Sequence, residues 1–156
     1  MTPIHPNESS GQRWVTIQYF LMIGVLLAGP WGAERWGGTW NGWVGIPLFL
    51  LGAWAGLRGK ADLGRQRTTR PEPLPDNQLV TGGIYSMLRH PLYASLILLG
   101  FGWAVLWNSG PALGLALIQA VFLDAKARCE ERHLRNRHPG YDAYSRRVKR
   151  FVPGLY

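Results

Sequence analysis

The chain has 156 residues, enough for one domain, with 47% hydrophobic residues, eight Trp and a net charge of +8. Such a balance suits either a basic nucleic-acid binder or a small membrane protein, and the distribution of charge decides between them. Of the 17 Lys and Arg, six lie between Arg58 and Arg89 and nine between Lys126 and Arg150, which leaves four long, almost uncharged blocks that a nucleic-acid binder has no use for.

Met1 to Arg13 carries Pro3, Pro6 and Gly11 and predicts a poorly ordered or surface-lying start. Trp14 to Ala28 is the first apolar run. Its basic flank is too weak and the spans after it too many for a cleaved signal peptide. The connection to Asn41 is rich in Gly and Trp, and Trp31, Trp36, Trp40 and Trp43 read as an aromatic belt at a water boundary. Trp43 to Leu57 is the second span, with Pro47 expected to bend it. Gly52 and Gly56 have the spacing that lets two helices approach closely, or are two glycines with no partner.

Arg58 to Arg70 can continue that helix into water, whereas Pro71, Pro73 and Pro75 forbid one. Leu79 to Gly83 reads as an extended piece and a turn. Pro91 opens the third span, which runs to about Trp107, and Asn108-Ser109-Gly110-Pro111 is a tight turn into the fourth, apolar to Leu123. Nothing breaks that helix before Pro139-Gly140, so it should continue into water, with Asp124, Arg128, Glu131 and Arg135 on one face. A short amphipathic helix, Tyr141 to about Lys149, follows.

The expected architecture is all-α and polytopic: about four transmembrane helices with a cytoplasmic C-terminal helical extension. A single domain divides into a helix pair (1–57), a connection (58–90), a hairpin (91–123) and a C-terminal segment (124–156). Both basic segments fall on one side of four crossings, so the positive-inside rule puts both termini in the cytoplasm.

Chemistry must then sit at the cytoplasmic boundary, because the spans carry almost no ionisable groups. The candidates there are Tyr85, Arg89, His90, Tyr93, Glu130, Glu131, His133, His138, Tyr141 and Tyr144. Interfacial anchoring explains Arg89 and His90 without invoking function, and pairing along a solvated helix does the same for Glu130 and Glu131. A metal site is not expected. Glu130-x-x-His133 is a single copy of a motif that di-metal bundles need twice, and Cys129, the one cysteine, rules out a Cys-based zinc cluster.

Gly83-x-Tyr85 followed by Arg89-His90-Pro91-x-Tyr93, then Glu130-Glu131-x-x-Leu134, Gly140-Tyr141-x-x-Tyr144 and Val148-x-Arg150-x-x-Pro153, resembles the isoprenylcysteine carboxyl methyltransferase and phospholipid methyltransferase superfamily. The chain departs from that pattern at Ile84, Ser86 and Ser95. The resemblance implies a small integral membrane methyltransferase of bacterial type, in the inner membrane with its site facing the cytoplasm. It implies S-adenosylmethionine as methyl donor, held by Tyr85, Arg89, His90, Tyr93, Glu130, Glu131 and Tyr141, with Glu131 ahead of Glu130 as partner of the ammonium or ribose. An arginine among Arg146, Arg147 and Arg150 would hold an acceptor carboxylate. The acceptor expected is lipophilic or lipidated and drawn from the membrane, with carboxyl O-methylation ahead of phospholipid or amine N-methylation. Two readings from other classes stand beside it, a nicotinamide-dependent lipid or sterol reductase and a non-catalytic membrane subunit. Oligomeric state is open.

Overall fold

A computed structural model describes residues 8–33, 40–64 and 79–156. They form five α-helices: α1 (Glu8–Trp31), α2 (Trp40–Leu63), α3 (Pro91–Leu106), α4 (Gly110–Arg137) and α5 (Tyr141–Arg147), with a 3-10 turn at Gly83–Ser86 before α3. No strand occurs among the described residues, only two isolated bridges, Ala33 with Ser109 and Leu88 with Lys149. Among the described residues two helices are long and apolar enough to cross a membrane, Gly11–Trp31 and Gly110–Arg137, and Pro91–Leu106 is a shorter apolar one.

The start of α1 corrects the sequence reading. Residues 8–13 are helical rather than poorly ordered, because Gly11 alone does not break a helix whose later turns pack on α3 and α4, and Met1 to Asn7 lie outside the described residues. At the far end, Pro30 lies inside α1 and cannot donate to the Leu26 carbonyl one turn earlier. Trp103 Nε1 donates to that carbonyl instead, at 3.1 Å. Ser109 Oγ donates to the Ala28 carbonyl at 2.7 Å and also accepts from Ala112 N at 3.2 Å, so one hydroxyl caps α4 and ties the hairpin turn to α1. Asn108 takes the left-handed conformation the turn requires (φ 49°), which Asn tolerates better than most residues. Trp31, Trp40 and Trp43 are exposed near this end; Trp36 lies outside the described residues.

Gly52 and Gly56 find their partner within the chain. A Cβ on Gly52 would come within 2.9 Å of Leu99 N, and one on Gly102 of α3 within 2.6 Å of Phe49 N. The two backbones therefore touch, and the close approach is α2 against α3. Pro47 sits within a continuous α2. The helix runs on past Leu57 to Leu63 and ends at Gly64, whose positive φ (56°) suits a C-terminal cap. Pro71, Pro73 and Pro75 fall outside the described residues.

Candidate functional site

Pro91 sets the start of α3, so His90 is its N-cap residue and Tyr93 lies in its first turn. The α3–α4 hairpin returns the chain, and α4 continues beyond its apolar part to bring Glu130 and Glu131 level with them. A third segment completes the cluster. Arg89 N donates to the Lys149 carbonyl at 2.8 Å and His90 N to the Arg150 carbonyl at 3.2 Å, so the chain after α5 runs beside the residues before α3. Tyr141, Tyr144 and Val148 hold α5 in place by packing with Leu79 and Leu134.

Glu131 is 2% exposed and surrounded by cations. Arg150 grips it with both prongs, Nε to Oε1 at 2.9 Å and Nη2 to Oε2 at 3.0 Å. His90 Nε2 lies 3.2 Å and Arg89 Nη2 3.4 Å from Oε1. Burial alone would push this carboxyl up; the bonds from His90 and Arg150 and the charge of Arg89 override it and hold the group well below the ordinary carboxylate range. Arg150 also reaches Asp124 at 2.8 Å, and the Tyr156 hydroxyl joins that pair, 3.0 Å from Asp124 Oδ1.

Glu130 has a different environment. Tyr93 OH donates to its Oε2 at 3.0 Å, and His90 Nδ1 lies 3.7 Å from the same oxygen, but no arginine among the described residues clamps it. Burial raises its carboxyl, and the opposing influence of His90, Tyr93 and Lys126 does not cancel that rise. The His90 ring thus spans two neighbouring carboxylates, one clamped by Arg150 and one bonded to Tyr93. His90 and Tyr93 stack with rings parallel to within 1° and centroids 5.4 Å apart.

Tyr144 OH donates to the Tyr85 carbonyl at 2.6 Å, and its phenol is pushed up to about 12 by burial. Tyr85 is buried with Ala55 and Ile84, and burial drives both its phenol and that of Tyr141 upward. The turn carrying Tyr85 depends on Asp62, whose Oδ2 accepts from Ile84 N at 2.8 Å. Gly83 has a φ of 59°, and the Asp62 carboxylate fills the space a side chain there would need. That accounts for the first glycine of the sequence motif.

The ten site residues read from the sequence separate into two groups. Tyr85, Arg89, His90, Tyr93, Glu130, Glu131, Tyr141 and Arg150 come together, whereas Arg146 and Arg147 are exposed on α5. Arg150 is bonded to both oxygens of Glu131, the glutamate put first from the sequence. His133 turns its Nδ1 to the Cys129 carbonyl at 2.8 Å. Sequence reasoning missed Asp62, Tyr156 and Lys126. Lys126 is fully buried, donates to Gln18 of α1 at 2.6 Å and lies over the Tyr93 ring. Its signal was weak, one lysine immediately after an apolar run, which reads first as an interfacial anchor.

Two helices among the described residues are long and apolar enough to cross a membrane, and a buried ionic cluster lies at the foot of a helical hairpin, features that suit a membrane protein. The chain belongs to the phospholipid methyltransferase family, which matches residues 40–139, from α2 through α4. It is also similar to two curated proteins. The cobalt-zinc-cadmium resistance protein CzcN of Cupriavidus metallidurans is 33% identical over 144 residues, 91% of this chain and 62% of that protein. The nickel-cobalt-cadmium resistance protein NccN of Alcaligenes xylosoxydans xylosoxydans is 32% identical over 133 residues, 84% of this chain and 60% of that one. The chain therefore spans less than two thirds of the length of either relative. Among the described residues, no three His, Cys, Asp or Glu side chains gather as metal ligands would.

Proposed function

We propose that the protein transfers a methyl group from S-adenosylmethionine to a lipophilic acceptor at the cytoplasmic face of the membrane, in a chain that crosses it four times. The observation that carries the reading is a set of unspent hydrogen-bonding groups around the two glutamates. Arg89 Nε and the Tyr141 hydroxyl are buried with no hydrogen-bond partner among the described residues. Buried groups of this kind normally have partners. Two donors beside a carboxylate that no arginine clamps among the described residues suit a zwitterion. Arg89 and Tyr141 would receive its carboxylate, and Glu130 its ammonium or ribose hydroxyls. Tyr93 and His90 keep Glu130 oriented, while Arg150 keeps Glu131 in place and with it the His90 ring. Tyr85 contributes an aromatic wall.

When bound, S-adenosylmethionine supplies an electrophilic methyl group with a neutral thioether as leaving group. The chain's own part is to hold donor and acceptor in line and to keep water out, and positioning of that sort reaches about 7–11 kcal/mol in favourable cases. Carboxyl O-methylation needs no base, and Arg146 or Arg147, exposed on α5, can bind the acceptor carboxylate. Arg150, already paired with Glu131 and Asp124, is better suited to supporting the site. One observation favours amine N-methylation as a second reading: Glu130, with its raised carboxyl, can take the proton an ammonium acceptor must lose.

The test is ligand-dependent stability of the detergent-solubilised protein. S-adenosylhomocysteine should raise the melting temperature and NADPH should not. Stabilisation by NADPH alone would favour the reductase reading, and by neither a non-catalytic subunit. Membranes given methyl-labelled donor then distinguish the two chemistries, since a methyl ester loses its label in base and an N-methyl group keeps it.

A further inference from the structure

Lys126 lies just past the apolar part of α4, where a lysine ordinarily stretches its ammonium out to water. Here it has no exposed surface and turns inward. Its Nζ donates to Gln18 Oε1 of α1 at 2.6 Å and lies 5.4 Å from the centre of the Tyr93 ring of α3. An amide and an aromatic face, from two other helices, thus hold the ammonium against the site.

Lys126 and Glu130 are four residues apart on α4. That spacing sets their side chains on one face of the helix, with Cβ atoms roughly 5–6 Å apart. Tyr93 ties the two together. It shows its ring to the Lys126 ammonium and gives its hydroxyl to Glu130 Oε2 at 3.0 Å. A carboxylate that accepts from the phenol enriches the ring, and the richer ring holds the cation more firmly. The charged and titratable groups that face Glu130 are His90 and Tyr93 at the start of α3, Tyr85 before it, Tyr141 of α5, and Lys126 and Glu131 of α4 itself. Burial pushes the Glu130 carboxyl up, and His90, Tyr93 and Lys126 oppose that rise. His90 stands between both glutamates, whereas Lys126 lies on the Glu130 side of the pair.

We propose that Lys126 is a positioning residue of the donor site, whose ammonium, anchored by Gln18 against the Tyr93 ring, keeps Glu130 a carboxylate able to accept from the methyl donor. The inference rests on the methyl-transfer reading for what Glu130 receives, and on the contacts of Gln18, Tyr93 and Glu130 for the action of Lys126. A protonated Glu130 would set its own O–H against the hydroxyls or ammonium of the ligand, whereas a carboxylate accepts from either. The neighbouring cation dilutes the charge of Glu130 without removing it.

The experiment reads Glu130 directly. Infrared spectra of the intact protein in an ester-free detergent, recorded across pH, follow the carbonyl stretch of its protonated carboxyl, identified as the band that Glu130→Gln removes in each background. In Lys126→Met, which keeps an unbranched chain and loses the charge, that band should persist to a pH about one higher than in the wild type. Gln18→Glu leaves Lys126 in place and sets an anion on it, and should move the band the same way. Calorimetric titration with S-adenosylhomocysteine should then show both variants binding up to about tenfold more weakly on the acid side, where only the wild-type carboxyl is ionised. Once the pH ionises Glu130 in all three proteins, their affinities should agree within about twofold. A lysine that merely supports the fold would lower affinity by one factor at every pH. An unmoved band, or a loss of affinity that is the same at every pH, overturns the proposal. Should Lys126→Met fail to fold, Gln18→Glu alone decides. If the band moves but no form of the protein binds S-adenosylhomocysteine, the action of Lys126 on Glu130 stands and the methyl-transfer reading falls instead.

Discussion

His90 Nε2 lies 3.2 Å from Glu131 Oε1, across 41 residues of chain. Two features produce that contact. The α3–α4 hairpin folds one helix back beside the other, and the chain after α5 is bonded to the backbone of Arg89 and His90. The first brings Glu131 to the level of His90, and the second delivers Arg150 to the far side of the same carboxylate.

Glu131→Gln should therefore be a stability variant. It takes the Glu131 charge away from Arg89, His90 and Arg150, and leaves Arg150, 12% exposed at its side chain, with Asp124 and the Tyr156 hydroxyl. Breaking a buried pair from one side costs about 3–5 kcal/mol. Thermal unfolding in detergent should show a clear loss of melting temperature, and a change of under about 1 kcal/mol would mean the cluster is hydrated and weak. Glu130→Gln removes no arginine partner. It should unfold close to wild type while binding S-adenosylhomocysteine at least about tenfold more weakly, the equivalent of about 1.4 kcal/mol.

Arg150→Lys keeps the charge and loses the fork. A lysine cannot meet both Glu131 oxygens and Asp124 at once, as Arg150 does at 2.9, 3.0 and 2.8 Å. The expected loss is about 1–3 kcal/mol in thermal unfolding, smaller than for Arg150→Ala. Equal losses for the two would show that geometry contributes nothing here.

The two glutamates should leave opposite marks on the pH dependence of stability. Glu131 is held below the ordinary range, so its contribution is complete above the unfolded value of about 4.3 and is lost as pH falls below it. Glu130 is raised, so its contribution is complete below about 4.3 and is lost as pH rises through its folded value. Unfolding measured across acidic pH should show Glu131→Gln flattening the acid side of the wild-type profile and Glu130→Gln the other. Parallel profiles for the two variants would contradict the assignment.

The helices could be read from the sequence because each carries its own punctuation. Pro91 and Pro111 open α3 and α4, and Pro139-Gly140 ends the charged extension. The motif glycine, Gly83, could be seen but not explained, since its reason is Asp62, which arrives from α2 and has no local mark. Which glutamate would be clamped was likewise hidden: adjacent residues of one type differ only in what faces them, and Arg150 faces Glu131 because of backbone bonds to Arg89 and His90. Lys126 was illegible for the same reason. Burial of a lysine depends on a partner such as Gln18, 108 residues away. The start of α1 at Glu8 has no local mark, because a polar first turn looks like a tail until the later turns are seen packed.

The four-crossing arrangement can be tested by labelling cysteines from one side of sealed vesicles, in a Cys129→Ser background. Gly110 and Gly140 are exposed, and a side chain at either would meet nothing within 4 Å, so Gly110→Cys and Gly140→Cys should leave the fold intact. Gly110 lies at the hairpin turn, beside the Ala33 bridge that marks the end of α1. Gly140 lies at the opposite end of α4, next to the basic segments. If α1 to α4 all cross, an impermeant maleimide added to right-side-out vesicles labels Gly110→Cys, while Gly140→Cys, Lys60→Cys and Gln12→Cys react only after the membrane is opened. The positive-inside rule sets which side is which, because the basic segments flank Lys60 and Gly140. Labelling of Gly110→Cys and Gly140→Cys from the same side would mean that the hairpin lies in the interface without crossing. The buried ionic cluster would survive that result, but a lipid acceptor could no longer approach it along the length of α4.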